Sequence, residues 1–150
     1  MGKDYIVSII GTQITGEQAE EVQLLVPCSY RKTENTVYLN YSEFDKNNDN
    51  SEIKSTLEID ENNMVTLIRD GTQKSKLTLE KGKRHLCSYN TDFGTIMIGA
   101  FAKEINYDLN ENGGFIELLY SLDVNTEFLS TNLVLIRIKK GENKNVSNCK

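Results

Sequence analysis

Apolar side chains recur at every second position through most of this chain. Ile116, Leu118, Tyr120, Leu122 and Val124 fall on one face of an extended segment, with Glu117, Ser121 and Asp123 on the other. An extended backbone sends alternate side chains to opposite faces, so this is the clearest predicted strand. Val37, Leu39 and Tyr41 repeat the pattern, as do Ile53, Leu57 and Ile59, and more briefly Leu77 and Leu79. Val134, Ile136 and Ile138 alternate with Arg137 and Lys139 near the C-terminus.

Turn residues separate these runs at short intervals. Glu34-Asn35, Glu61-Asn62-Asn63, Asp70-Gly71, Lys81-Gly82, Asp92-Phe93-Gly94, Asn112-Gly113-Gly114 and Asn125-Thr126 all qualify. Asp70-Gly71 and Asn112-Gly113 suit turns that need positive φ. Roughly eight to ten strands joined in this way predict an all-β antiparallel up-and-down meander, closing as a barrel or folding into a sandwich. No segment shows a sustained helical period. Gly16 to Val22, rich in Glu, Gln and Ala, reads as an acidic loop after the first strand, with a turn or two of helix as the alternative.

Composition narrows the class without supplying a chemistry. The 150 residues suit one domain, expected over 1–140, with a polar tail over 141–150. A chain this long buries roughly 68–70% of its unfolded surface, so it needs no metal or disulfide to fold. The net charge of −5 argues against binding nucleic acid with the whole surface, since that mode neutralises phosphates. Ser8, Gly11 and Thr12 interrupt the N-terminal apolar stretch, which is too short and polar for a signal peptide core or a membrane helix. Cys28, Cys87 and Cys149 are odd in number and widely spaced, so reduced thiols and a cytoplasmic location are expected.

Four local patterns carry candidate chemistry, and each has a bland reading beside it. Asp45-Lys46-Asn47-Asn48-Asp49-Asn50 spaces oxygen donors like the start of a calcium loop. Asn50 stands where that loop needs Gly and Thr56 where it needs Glu, so a solvated hairpin loop is expected and no metal. Lys74, Lys76, Lys81, Lys83, Arg84 and His85 form a basic stripe near Tyr89 that could hold an anion or a phosphate backbone. The favoured reading is the wet face of a strand and its turn. His85 and Cys87 share strand parity, but an activated thiolate needs an orienting partner that the sequence does not supply. Tyr38, Tyr41, Tyr89, Tyr107 and Tyr120 fall in or beside strands. A tyrosine aimed into a barrel gives a ligand an aromatic wall and a hydrogen-bonding tip, although a rim position is commoner.

The order of these elements is familiar. Gly82-Lys83-Arg84-His85 leads into Tyr89-x-Thr91-x-x-Gly94, and a final hairpin runs from Ile116 through Ser130 and Asn132 to Ile138. Together they resemble the YwiB-like family of small bacterial proteins, the DUF1934 domain, over nearly the whole chain. The resemblance implies a calycin-type barrel, similar in architecture to lipocalins, in a bacterial cytoplasm, and implies no catalytic residue. The Asn-rich loop after Phe44 departs from the family pattern.

The functional expectation is a non-enzymatic module that takes a small molecule in the barrel interior or mouth. Tyr38, Tyr41, Arg84, His85, Tyr89 and Tyr120 are the candidate ligand-binding residues. No catalytic residue, metal ligand or cofactor is expected, and enzyme activity is the least favoured class. The alternatives are self-association as a homodimer, partner binding through the outer surface or a strand edge, and weak anion or nucleic-acid binding along Lys74–His85. No membrane association is expected.

Overall fold

Backbone pairing turns the alternating segments into ten strands. The computed structural model describes residues 4–45 and 49–141. The strands are β1 (Tyr5–Thr15), β2 (Gln18–Lys32), β3 (Val37–Asp45), β4 (Ser51–Ile59), β5 (Val65–Asp70), β6 (Lys74–Leu79), β7 (Arg84–Thr91), β8 (Gly94–Asn110), β9 (Gly113–Val124) and β10 (Glu127–Lys140). Each is hydrogen-bonded antiparallel to its neighbours in sequence, and β1 pairs with β10 to close the barrel. Closure removes the sheet edges that an open ten-stranded meander would expose.

Alternating strand direction sorts the turns to two ends. The β1–β2, β3–β4, β5–β6, β7–β8 and β9–β10 turns lie at one end, and the remaining turns lie at the other with both termini of the barrel wall. At the second end the interior is filled. Val37, Ile59, Val65 and Leu79 are successive partners across β3 to β6 and form one buried layer. For β5 and β6 the register Val65↔Leu79 completes that row. Leu39, Leu57, Leu67 and Leu77 form the next layer by the same registers. Three tyrosines tie this end shut. The Tyr5 hydroxyl donates to the Glu111 carbonyl at 2.8 Å, and the Tyr30 hydroxyl donates to the Asn110 carbonyl at 2.7 Å. Tyr107 donates to Asn63 Oδ1. The Tyr5 and Tyr30 rings meet edge to face, with centroids 5.1 Å apart. Burial first, and Tyr5 second, push the Tyr30 phenol up to about 12, so it stays protonated and able to donate.

Gly16 to Val22 is strand rather than acidic loop or helix. Gly16 and Glu17 make a two-residue hairpin turn, with Gly16 at φ 62°, and β2 starts at Gln18. Ladder pairing with β1, from Thr15↔Gln18 through Gly11↔Val22, overrides the helical preference of Glu, Gln and Ala. Gly113 takes the positive φ expected of it, at 113°. Its neighbour Gly114, at φ 140°, has no room for a side chain, since a Cβ there would lie 2.0 Å from the Asp108 carbonyl oxygen. Gly71 does not adopt positive φ. The β5–β6 connection runs through residues 71–73, with the Gly71 N–H donating to the Gln73 carbonyl, so no left-handed glycine is needed. Residues 46–48 of the calcium-like run and 142–150 of the tail lie outside the described residues.

Two seams in the wall are sparsely paired. β2 and β3 are bonded only from Cys28↔Tyr41 to Lys32↔Val37, and the ladder stops beside Pro27, which has no N–H to give. β6 and β7 share one bridge, Ser75↔Tyr89. Farther down that seam the Thr78 N–H donates to Cys87 Sγ at 3.3 Å, so a thiol stands in for a backbone acceptor.

Candidate functional site in the barrel lumen

The lumen is open above the leucine layer. A cavity of about 570 Å³ extends from Ile9, Leu24, Leu67 and Leu77 towards the open-end turns. That volume falls in the usual range for small-molecule sites, roughly 300–1,000 Å³. Gly11 helps to make it. Gly11 faces Val22 on one side and Val134 on the other, and a Cβ placed on it would meet nothing within 4 Å.

Polar residues form a collar over the apolar floor. On one wall Tyr41, Ser55, Arg69, Ser75 and Tyr89 are successive cross-strand partners from β3 to β7. They sit one inward-facing position above the leucines, because a strand returns to the same face every two residues. On the opposite wall Tyr120, Asn132, Gln13 and Glu20 are successive partners across β9, β10, β1 and β2. All of these except Ser55 line the cavity.

The collar is electrically mixed. Arg69 Nη2 donates to Glu43 Oε2 at 3.1 Å, with about half of the arginine side chain exposed. Burial pushes the Tyr41 phenol above its usual pKa, and the Glu43 carboxylate adds to this; Ser55 and Arg69 act the other way. Ser55 faces Tyr41 across the ladder, yet its buried hydroxyl makes no hydrogen bond of normal geometry. Burial alone raises Tyr120 to about 12. Asn132 donates to the Ser130 hydroxyl at 3.0 Å. Both phenols are therefore neutral donors over the whole physiological range.

Of the six sequence candidates, Tyr41, Tyr89 and Tyr120 come together around this cavity. Tyr38, Arg84 and His85 do not. Tyr38 lies under the Arg31 guanidinium, 4.7 Å from its ring centroid, beside an outer groove of about 460 Å³ shared with Asp4 and Asn40. Arg84 forks onto Asp123, with Nε–Oδ2 at 2.9 Å and Nη2–Oδ1 at 2.6 Å. His85 Nε2 lies 2.8 Å from Glu80 Oε1, at the filled end of the barrel. Lys74, Lys81 and Lys83 also lie beside acids, namely Asp70, Glu104 and Glu80. The stripe is thus largely neutralised by its own neighbours. Cys87 is held by Thr78 and by the His85 carbonyl rather than by the imidazole, so the two side chains form no dyad.

Sequence reading missed Glu43, Arg69, Ser75, Gln13, Glu20 and Asn132. Each interrupts an apolar face at its inward parity, as in Leu67-x-Arg69 and Ser75-x-Leu77. That interruption was a usable signal, but only the registers show that the polar positions share one height.

A closed, ten-stranded antiparallel barrel with an apolar lumen and a polar collar defines the class of this protein. The chain belongs to the family described as Domain of unknown function (DUF1934), which it matches over residues 7–136. It is 29% identical over 98 residues to the "Uncharacterized beta-barrel protein YwiB" of Bacillus subtilis (strain 168), a match spanning 65% of this chain and just under two thirds, 66%, of that one. The crystal structure of the ywiB protein from Bacillus subtilis superimposes with a TM-score of 0.79 at 21% identity, covering 92% of each chain. That likeness concerns the fold.

Proposed function

We propose that this barrel is a non-enzymatic binding module whose lumen takes a small, largely apolar molecule bearing a few hydrogen-bonding groups. The observation that carries this reading is the layered lumen, in which a leucine floor lies beneath a ring of tyrosine, serine and amide side chains. Burying an apolar group against that floor yields about 25 cal/mol per Å² removed from water. The collar then fixes orientation, as a few placed polar groups do in most small-molecule sites. Tyr41, Tyr89 and Tyr120 are the proposed contacts from the sequence set.

Gly11 supplies a clean test. Gly11→Phe fills the lumen from an unstrained position with open space before it. The dye 1-anilinonaphthalene-8-sulfonate is expected to brighten with the wild-type protein and to lose at least about tenfold in affinity with the variant, a difference of roughly 1.4 kcal/mol. Equal binding by both proteins, with Gly11→Phe fully folded, would mean that the lumen is not the site.

A further inference from the structure

Of the inward-facing collar positions, Arg69 and Glu43 alone form an ion pair among the described residues, and they form it with each other. The contact is a single hydrogen bond, which leaves most of the five guanidinium N–H groups and one carboxylate oxygen for another partner. A head group of one sign fits this pair badly. An anion on the free N–H groups of Arg69 sits beside the Glu43 carboxylate, and a cation on the free Glu43 oxygen meets the Arg69 guanidinium in the same way. A head group carrying both signs avoids the conflict, because it brings an opposite charge to each member of the pair.

We infer that the lumen ligand is an amphipathic zwitterion of the amino-acid type, with its carboxylate on Arg69, its ammonium on Glu43 and its apolar chain on the leucine layer. The inference rests on the lumen reading above. Several features agree with it. Arg69 lies in the collar row between Ser55 and Ser75, with Tyr41 and Tyr89 one strand further out on either side, so hydroxyl groups flank the carboxylate position. The guanidinium fork matches a carboxylate in two-bond geometry, which the single Glu43 contact does not use. Tyr41 responds to both charges, to Glu43 by a raised pKa and to Arg69 by a lowered one, so phenol, acid and base are mutual neighbours. The tyrosine faces offer an ammonium group further attraction.

A ten-carbon series isolates the head group: 2-aminodecanoate as zwitterion, decanoate as anion, decylammonium as cation and decan-1-ol as neutral control. Titration calorimetry below the aggregation concentrations is expected to rank 2-aminodecanoate at least about tenfold above the other three. Arg69→Gln and Glu43→Gln should each remove that advantage while leaving decan-1-ol binding within about twofold. Gly11→Phe should weaken every member of the series. If decanoate or decylammonium matches the zwitterion, or if the two polar variants change nothing, the head-group inference is overturned and lumen binding stands. If none of the four compounds binds, or if Gly11→Phe binds them as wild type does, both readings fall. Far-UV circular dichroism and thermal melts of each variant separate these results from misfolding.

Discussion

Thr126 sits at φ 69° in the β9–β10 turn, directly after Asn125 at φ 54°. Two successive left-handed residues give the mirror-image turn whose twist matches a hairpin, and Asn suits the first position. Threonine does not suit the second, since a β-branched side chain crowds the backbone there. Thr126→Gly should therefore stabilise the protein by about 0.5–1 kcal/mol net of the added freedom of the unfolded chain. A thermal melt should show a rise of roughly 1–4 °C. No rise, or a fall, would show that the Thr126 side chain contributes more than its backbone strain costs. The turn keeps its other anchor, because the Thr126 N–H donates to Asp123 Oδ1 at 3.1 Å and glycine retains that donor.

At the scale of elements, Asp123 joins three strands. The Arg84 side chain leaves β7, crosses the outer face of β8 and reaches Asp123 on β9. It crosses above Gly99, which is the register partner of Asp123 and has no Cβ to block it; one placed there would lie 2.4 Å from Arg84 Nε. Arg84 holds the Asp123 carboxyl below the usual 3.8, and the Thr126 N–H adds to this. The folded chain thus binds that proton less tightly than the unfolded chain. The stabilisation is present above the unfolded value and is lost as pH falls through the lower folded one. Asp123→Asn should melt below wild type at neutral pH, and the gap should close as pH falls through the lowered folded value. A gap that stays constant with pH would mean that shape rather than charge sustains the clasp.

For the whole molecule the decisive feature is unequal filling of the two ends. Layers of valine, isoleucine and leucine pack the end that Tyr5, Tyr30 and Tyr107 tie shut, while the other end keeps its cavity and its sparsely paired β2–β3 seam. Stability should follow the same gradient, because regions with few buried contacts open locally at little cost. In hydrogen exchange, the amides of Leu39, Leu57 and Val65 should be protected close to the global limit. Those of Ala19 to Val22, which have no β3 partner among the described residues, should exchange by local opening. Uniform protection around the barrel would contradict this division. A soft open end above a rigid base also fits the proposed binding of a small molecule in the lumen.

How much of this was legible beforehand divides along a physical line. Period-2 alternation and turn chemistry are local, and they disclosed an all-β antiparallel meander with most of its turns, Asn125-Thr126 and Asn112-Gly113-Gly114 among them. Where local preference and pairing disagreed, as at Gly16 to Val22, local reading failed because ladder hydrogen bonds come from a strand that propensity does not see. The site was legible only in part. Tyr41, Tyr89 and Tyr120 stood out as residues that suit a cavity, whereas nothing in the local pattern singles out Arg69 or Glu43. Their meeting depends on the registers of β3, β4 and β5, which place residues 26 apart in sequence within hydrogen-bonding distance. The sequence by itself determined which side chains share a face of each strand. Only the tertiary structure decided which faces turn inward at the same height, because barrel closure and strand register are set by contacts between distant segments.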